Sequence, residues 1–248
     1  MRICITGSTG RLGKDLISFL SNDKHISIVE LKHKDVSICN FTFVDNFFKN
    51  DHNFDLIVHL AAFTSVDKAE IDKASCYNTN VIGTKNILDV ISKYNIHFLF
   101  MSTDYVFDGE KGNYKEDDIP NPINYYGLTK LLGETLVSSY KFKNIIVRTS
   151  FKPDKWQHPC AFYDVYTSAD YISVISKEVG FLIKNFYHAL RSEENIYHIG
   201  TDKKTMYELA KLKNYDIKKI SKNEVNFKVP NDLSFDTSKW EEFKCALS

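Results

Sequence analysis

The sequence predicts an α/β protein with a doubly wound parallel sheet of the Rossmann type and a small C-terminal substrate lobe. Two observations predict this fold class: short β-branched runs alternate with longer helical patterns, and a ladder of glycines separates the first run from the first helical pattern. Such alternation is typical of βαβ units, whose parallel strands bind ligands beyond their carboxyl ends. We expect residues 1–150 to form a nucleotide-binding domain and residues 151–248 to form the lobe, interleaved with the last elements of the sheet.

Each element follows from a local pattern. Buried strands are predicted for "RICIT", "ISIVEL", "DLIVHL", "IHFLFMS" and "NIIVRTS", and helices for "RLGKDLISFL" and "NVIGTKNILDVISKY". The apolar residues show no clear strand or helix periodicity in "FKPDKWQHPCAFYDVYTSAD", which is rich in proline and aromatic residues. A helix near residues 171–186, a strand "NIYHIG" and a short helix from about Thr205 follow.

Composition limits the function classes. The 248 residues are 43% hydrophobic, and Lys+Arg and Asp+Glu both total 32, so no general attraction to nucleic acid or to an anionic membrane is expected. The five cysteines are scattered without a C-x-x-C pair, which argues against a disulfide framework and against a metal site. The chain runs directly into a strand and lacks an apolar run of about 20 residues. We therefore expect a cytoplasmic protein without nucleic-acid or membrane partners.

The glycine ladder "GSTGRLG" follows a strand and begins a helix, the context in which such spacing binds a dinucleotide. Gly7 would allow the tight turn, Gly10 would let the backbone approach a pyrophosphate, and Gly13 would let the helix pack on the sheet. A P-loop is excluded, because Ser8 and Asp15 stand where that motif needs a glycine and a Ser or Thr. An ordinary strand-to-helix turn remains the alternative.

A second motif, "NYYGLTK", places Tyr126 and Lys130 four residues apart, on one face of a predicted helix. A phenol with an ordinary pKa of about 10 transfers protons poorly at neutral pH unless a nearby cation stabilises the phenolate. Lys130 can supply that charge and hold a ribose hydroxyl. Tyr125 is the less suitable tyrosine because no lysine follows it by four residues. Two surface residues at helical spacing are the alternative interpretation.

Ser102 and Thr103 follow the strand "FLFM", at the sheet edge where this fold class binds ligands. A hydroxyl there can donate a hydrogen bond to a substrate carbonyl while a tyrosine protonates it, although such residues also cap strand ends. The glycine ladder, the hydroxyls and the Tyr-x-x-x-Lys pair occur in the order expected for one hydride-transfer site.

The chain resembles the extended short-chain dehydrogenases/reductases, and within them the dTDP-4-dehydrorhamnose reductase branch. The resemblance lies in "GSTGRLG", "HLAAFTSVDKAE", "NVIGTKN", "STDYVFDG", "PNPINYYGLTK" and "VRTSF", and weaker similarity continues to the C-terminal region. It implies reduction by NADPH or NADH of the 4-keto group of a deoxy sugar nucleotide. A cofactor-binding regulatory subunit and an epimerase of the same superfamily are the alternatives, and the implied assembly is a monomer or homodimer.

The resemblance also implies site residues. The catalytic set is Thr103, Tyr126 and Lys130, with Ser102 beside them. The cofactor residues are Gly7, Ser8, Thr9, Gly10, Arg11, Leu12, Gly13, Glu30, Lys32, Asp35, Ala61, Ala62, Thr64 and Asn80, together with Tyr126 and Lys130. The substrate residues are Val66, Asp67, Lys68, Tyr105, Phe151, Lys155 and Trp156. Tyr105 stands where sugar-nucleotide dehydratases carry an acid, so dehydration is not expected.

The choice of cofactor depends on the end of the second strand. Glu30 lies 20 residues after Gly10, where an acid would bind the adenosine ribose and favour NADH. Arg11, Lys32 and His33 are placed to attract a 2′-phosphate instead, so we expect NADPH to be preferred. The aromatic residues of the lobe could stack a base or a sugar face, although we expect most of them to be core residues. Lys152, Lys155 and His158 are the cations available for a diphosphate.

Overall fold

The computed structural model describes residues 1–32, 36–191, 195–225 and 228–247. The strands are β1 Arg2–Thr6, β2 Ser27–Leu31, β3 Leu56–His59, β4 His97–Met101, β5 Asn144–Thr149, β6 Phe151–Lys152, β7 Cys160–Phe162, β8 Tyr166–Thr167, β9 Asp170–Tyr171, β10 Ile196–Ile199, β11 Lys204–Thr205, β12 Lys218–Ile220 and β13 Asp232–Leu233. The helices are α1 Arg11–Leu20, α2 Phe41–Asn50, α3 Val66–Ile71, α4 Lys73–Tyr77, α5 Gly83–Ile91, α6 Tyr125–Ser138, α7 Ile172–Lys184, α8 Phe186–Ala189, α9 Met206–Lys211 and α10 Ser238–Cys245.

The main sheet has six parallel strands in the order β2-β1-β3-β4-β5-β10. The chain order reverses between β1 and β3, and ligands of doubly wound folds bind at such a reversal. Thr6 pairs with His59 across these two strands, so they end at the same level. The fold class predicted from the alternation of patterns is confirmed.

The two faces of the sheet are buried against different helices. Side chains alternate across a strand, so Ile3 and Ile5 join one core cluster and Cys4 joins the other. The first cluster includes apolar residues of α1, α7 and α10, and the second includes residues of α2, α5 and α6. In α1, Leu12, Leu16 and Leu20 are buried at a spacing of four residues, which forms the apolar face that packs on the sheet.

The region after residue 150 contributes to two parts of the molecule. α7, β10 and α10 complete the main sheet and its helical layer, as the predicted strand "NIYHIG" requires. The remaining strands form the small sheets β6-β9, β7-β12 and β11-β8-β13, next to α9. We call the residues of these small sheets and of α9 the lobe.

The described ranges lack the features of two other classes of site. Within those ranges, no helix combines the length and the apolar character that a membrane span requires. The same ranges contain no cluster of three or more His, Cys, Asp or Glu residues that could hold a metal ion.

Candidate active site

A cleft of about 730 Å³ lies at the carboxyl ends of the strands of the main sheet. Its walls come from the ends of β1 to β5, from the loops that follow them and from the first turns of α6. The predicted residues that line it are Gly7, Thr9, Gly10, Arg11, Leu12, Gly13, Ala61, Ala62, Thr64, Val66, Ser102, Thr103, Tyr105, Tyr126, Lys130 and Phe151. The cleft therefore joins the glycine ladder to the Tyr-x-x-x-Lys pair.

The turn at Gly7 requires a glycine for two reasons. Its φ of +69° lies in the left-handed region, which L side chains rarely adopt. A Cβ atom at this position would also lie 2.7 Å from the backbone nitrogen of Ala61, in the loop after β3. The two loops at the strand reversal therefore touch through backbone atoms, which leaves room above them for a ligand.

The other two glycines bring the start of α1 against this turn. The Gly10 N–H donates to the Gly7 carbonyl oxygen over 2.9 Å, and a Cβ on Gly13 would lie 2.5 Å from that same oxygen. Residues 11–14 include no acid, and no side chain in the described ranges caps the helix at Gly10. Its first amide groups and Arg11 are thus suited to an anion. This arrangement fits a dinucleotide pyrophosphate better than an ordinary turn.

Several further residues that line the cleft are mostly apolar. They are Leu31, Val36, Ile38, Cys39 and Thr79, for which the sequence predicted no role. Glu30 is exposed, and its carboxylate lies 3.6 Å from the Lys32 ammonium group instead of lining the cleft. The predicted contacts of Asp35 and His33 lie outside the described residues.

Asn80 lies behind the cleft, in a π-helical turn formed by Asn78–Ile82. Its side chain accepts from the Phe63 N–H over 2.7 Å and donates to the Phe63 carbonyl and to Thr129 Oγ1. Phe63 belongs to the loop that runs along the expected cofactor, and Thr129 lies between Tyr126 and Lys130 on α6. Asn80 is nearly fully buried and connects these two walls, so it positions the site without lining it.

Thr103 and Asp104 form the hydroxyl–carboxyl pair at the end of β4. Thr103 Oγ1 donates to Asp104 Oδ1 over 3.0 Å and accepts from the Tyr105 N–H over 3.3 Å. Asp104 is buried, which raises the pKa of its carboxyl group, while the positive charge of Lys152 and hydrogen bonds from Ser150 and Thr103 oppose that rise. No role was predicted for Asp104 from the sequence, although it directly follows the predicted Thr103.

Tyr126 is buried at the start of α6 and lies beside Thr103. Burial raises the pKa of its phenol, and a side-chain hydrogen bond with Thr103 opposes that rise. Its ring packs edge-on against Tyr105, with 6.2 Å between the ring centroids. Tyr125 instead faces the ammonium group of Lys73, 5.3 Å from its ring centroid. The structure thus brings Tyr126, and not its neighbour, to Thr103.

Lys130 lies one turn further along α6 and is 2% exposed. Its Nζ atom stands 3.9 Å from the centroid of the Phe100 ring, an attractive cation–π geometry. Burial lowers the pKa of Lys130 to about 7, against the opposing effect of the Glu134 carboxylate. A phenolate on Tyr126 would place a negative charge near Lys130. That charge would favour the protonated form of the lysine.

Ser102 lines the cleft, but its hydroxyl donates to Glu134 Oε1 over 2.5 Å. The same carboxylate is paired with Arg148, with 2.8 Å between Arg148 Nη2 and Glu134 Oε2, and both side chains are buried. The predicted contact of the Ser102 hydroxyl with a substrate is therefore replaced by a contact with this ion pair, which joins β4, β5 and α6. The sequence could not show this because the three residues come from distant segments.

Some of the predicted substrate residues line the cleft, and others lie outside it. Val66, Tyr105 and Phe151 line the cleft, whereas Asp67, Lys68 and Lys155 are exposed and lie outside its lining. Trp156 packs inside the lobe against residues of β7 and α9, and its Nε1–H donates to the Cys160 carbonyl over 3.4 Å. Of the three cations considered for a diphosphate, Lys152 lines the cleft.

Comparisons with known proteins match this architecture. A family model described as the RmlD substrate binding domain matches residues 1–226. The dTDP-4-dehydrorhamnose reductase of Bacillus anthracis str. Ames, solved in complex with NADP, superposes with a TM-score of 0.84 at 26% identity, covering 98% of this chain and 96% of that one.

Two curated proteins are similar in sequence to part of the chain. A dTDP-4-dehydrorhamnose reductase from Aggregatibacter actinomycetemcomitans is 39% identical over 155 residues, which are 60% of this chain and 51% of that protein. Methionine adenosyltransferase 2 subunit beta from Bos taurus is 34% identical over 142 residues, 55% of this chain and 42% of that protein. The chain thus spans about half the length of the curated relatives it matches.

Proposed function

Because the chain belongs to the RmlD substrate binding domain family, we propose that it uses NADPH to reduce the 4-keto group of a deoxy sugar nucleotide. One observation carries the proposal: a single cleft joins the glycine ladder, suited to a pyrophosphate, to the group formed by Thr103, Tyr126 and Lys130. The reductase of Aggregatibacter actinomycetemcomitans and the NADP complex of the Bacillus anthracis reductase support both the substrate class and the cofactor.

The cofactor end of the cleft has the properties that a dinucleotide needs. The amide groups at the start of α1 and the cation of Arg11 would hold the phosphates, and the loop at Ala61, Ala62 and Thr64 would run beside the molecule. Replacement of any of the three glycines by a larger residue would bring a Cβ within 3.0 Å of backbone atoms. When bound, NADPH supplies the hydride.

Side chains of the protein supply the proton for the proposed reduction. Burial raises the pKa of Tyr126, so its phenol keeps the proton at neutral pH until a negative charge develops on the substrate oxygen. Lys130 lies on the same face of α6, where its positive charge would stabilise the phenolate left behind. Thr103 lies beside the phenol in the same cleft, and its side chain opposes the rise in the pKa of Tyr126.

The substrate end is proposed to use Phe151, Tyr105 and Val66 as apolar and aromatic contacts, with Lys152 as the nearby cation. We also propose that residues 1–150 bind the cofactor while residues 151–248 supply the lobe. A cytoplasmic monomer or homodimer is proposed as the acting form. A soluble sugar nucleotide as substrate supports that location.

A panel of dTDP-, UDP- and GDP-linked 4-keto sugars with NADPH tests the proposal. At least one sugar should be reduced, and Tyr126→Phe should lower kcat by about 100-fold to 10,000-fold without weakening NADPH binding, because it removes only the acid. Tyr125→Phe is the matched control and should keep wild-type turnover, because Tyr125 lies outside the cleft lining. Near-normal turnover by Tyr126→Phe would refute the assignment.

The similarity to methionine adenosyltransferase 2 subunit beta supports a second candidate, a cofactor-binding subunit that serves a partner enzyme. The two candidates differ in a measurable way. A subunit of that kind would bind NADPH and reduce none of the sugars in the panel. NADPH binding without turnover on every sugar would therefore favour the second candidate over the first.

A further inference from the structure

A buried histidine at the strand reversal of the main sheet is hydrogen-bonded through both of its ring nitrogens. His59 is the last residue of β3 and is 1% exposed. Its Nδ1 atom lies 2.8 Å from Thr6 Oγ1, at the end of β1, and its Nε2 atom lies 3.1 Å from Thr84 Oγ1, on α5. Both threonines are fully buried, so water does not replace these contacts. The three side chains therefore join the two strands at the reversal to α5.

The partners of His59 decide where the hydrogens lie. Thr84 Oγ1 lies 2.7 Å from the carbonyl oxygen of Asn80, which can only accept, so the single hydrogen of the Thr84 hydroxyl goes to that oxygen. The hydrogen between Thr84 and His59 must then belong to Nε2. A neutral imidazole carries one N–H, so Nδ1 is an acceptor, and the Thr6 hydroxyl donates to it. The contacts thus select the Nε2–H tautomer of His59.

This chain of hydrogen bonds also requires a neutral ring. The Thr6 hydroxyl accepts from the Ala61 N–H over 3.2 Å. A second N–H on the ring of His59 would point at the Thr6 oxygen, and the hydrogen of Thr6 would lose its acceptor. Burial lowers the pKa of His59 to about 3, and the positive charge of Lys130 acts in the same direction. Hydrogen bonding and burial therefore favour the same form of the ring.

The chain of hydrogen bonds reaches the loop after β3, which lines the cleft. Ala61, the residue whose N–H donates to Thr6, is also the residue on which the glycine turn packs. Further along the loop, the Asn80 side chain binds both the N–H and the carbonyl oxygen of Phe63. Ala62 lies between these two fixed residues, and its N–H and carbonyl oxygen have no hydrogen-bond partner among the described residues. The loop is thus fixed at two points and leaves the backbone groups of Ala62, in the cleft lining, for a ligand.

We propose that His59, as the neutral Nε2–H tautomer, is a positioning residue that fixes the loop after β3 against the glycine turn and thereby sets the affinity for the dinucleotide. The inference rests on the proposed function, because this loop and this turn form the cofactor end of the cleft. His59 lies outside the cleft lining and acts through Thr6 and Ala61. Without its Nδ1 acceptor, the Thr6 hydroxyl would rotate to other partners, and the oxygen that holds the Ala61 N–H would no longer be fixed.

Fluorescence titration with NADPH tests the proposal on three variants. His59→Leu fills much of the same space but loses both contacts, so NADPH affinity should fall by about 3-fold to 10-fold, the range of one hydrogen bond. His59→Asn places an oxygen near the position of Nδ1, so it keeps the contact with Thr6 and should bind NADPH nearly as well as wild type. His59→Gln places an amide nitrogen near the position of Nε2, so it keeps the contact with Thr84 and should bind as weakly as His59→Leu.

The order of the affinities separates positioning from a purely structural role. All three variants disturb a buried network and should unfold at lower urea concentration than wild type, whereas the loss of affinity should follow the contact with Thr6. His97→Leu is the matched control, because His97 lies at the amino end of the neighbouring strand β4, on the sheet edge opposite the cleft. It should keep wild-type NADPH affinity. Equal affinities for wild type and all three His59 variants, or a loss in His59→Asn as large as in His59→Leu, would overturn the proposal.

Nitrogen NMR covers the case in which wild type does not bind NADPH, which would count against the proposed function. Long-range correlation spectra distinguish the two neutral tautomers and the charged ring by their nitrogen shifts, and the His59 signals are those that its variants lack. His59 should remain the Nε2–H tautomer between about pH 5 and pH 8, the range in which an ordinary histidine titrates. The Ala61 amide should exchange its hydrogen faster in His59→Leu than in wild type or His59→Asn. A charged ring, the Nδ1–H tautomer or an unchanged exchange rate would overturn the inference whatever the ligand.

Discussion

A Cβ atom built on Gly127 would lie 2.1 Å from the carbonyl oxygen of Tyr105. The first turn of α6 therefore packs directly on the loop that carries Thr103, and this contact sets the distance between Thr103 and Tyr126. Asn124 caps the helix by accepting from the Gly127 N–H over 2.7 Å, which fixes the same turn from the other side.

Gly127→Ala should lower kcat and stability together. In an open helix position this change stabilises by about 0.5–1 kcal/mol, because alanine is the better helix former. Here the added methyl group would push α6 away from backbone atoms that cannot rotate aside, so we expect a loss of about 1–3 kcal/mol. Urea unfolding and steady-state kinetics measure both effects. Ser138→Ala, exposed in the last turn of α6, should be neutral or stabilising, and an equal response of both variants would contradict the steric argument.

Gly7→Ala should prevent NADPH binding and destabilise the fold. The alanine would have to adopt a φ of +69°, and its Cβ would lie 2.7 Å from the backbone nitrogen of Ala61. The cost expected from the backbone conformation is about 1–3 kcal/mol. The neighbouring Ser8 provides a control for stability, since its buried hydroxyl is without a hydrogen-bond partner in the described ranges. Ser8→Ala should leave the free energy of unfolding unchanged or higher. Fluorescence titration with NADPH and chemical unfolding test the pair, and wild-type stability of Gly7→Ala would contradict the prediction.

The site shows which relationships a sequence pattern can predict. The glycine ladder and the choice of Tyr126 over Tyr125 depend on spacing within one segment, and the structure brings these residues to the same cleft. The Asp104–Lys152 interaction depends on the path of the chain beyond β5, and the Ser102–Glu134–Arg148 contacts join three elements. Local patterns carry no information on such pairings, because each residue type is equally compatible with solvent when considered alone.

Trp156 illustrates the same difference with an energetic consequence. An aromatic residue after the fifth strand is equally compatible with stacking on a base or with packing in the lobe. The structure packs it against Ala161, Ala210 and Ile217. Trp156→Ala should therefore destabilise the protein by about 2–4 kcal/mol and leave KM unchanged in the folded enzyme. The exposed neighbour Lys155 should tolerate alanine in both measurements. A raised KM with unchanged stability for Trp156→Ala would contradict this prediction and indicate that Trp156 contacts the substrate.

Lys130 should make stability depend on pH in a defined window. Its pKa falls from the ordinary value of 10.5 to about 7 on folding, so between these values the unfolded chain binds a proton that the folded chain does not. The free energy of unfolding contributed by this group therefore rises as pH increases from about 7 to about 10, and the cost of the buried charge is fully present below pH 7. Lys130→Met removes the charge, so it should be more stable than wild type by about 1 kcal/mol or more at acidic pH, with the difference shrinking as pH rises. The same variant should lose turnover, because nothing then stabilises a phenolate on Tyr126.

Lys177→Met, exposed on α7, should run parallel to wild type in urea unfolding across the whole range. If Lys130→Met also ran parallel to wild type, the lysine would not be a buried charge, and its proposed action on Tyr126 would lose its physical basis.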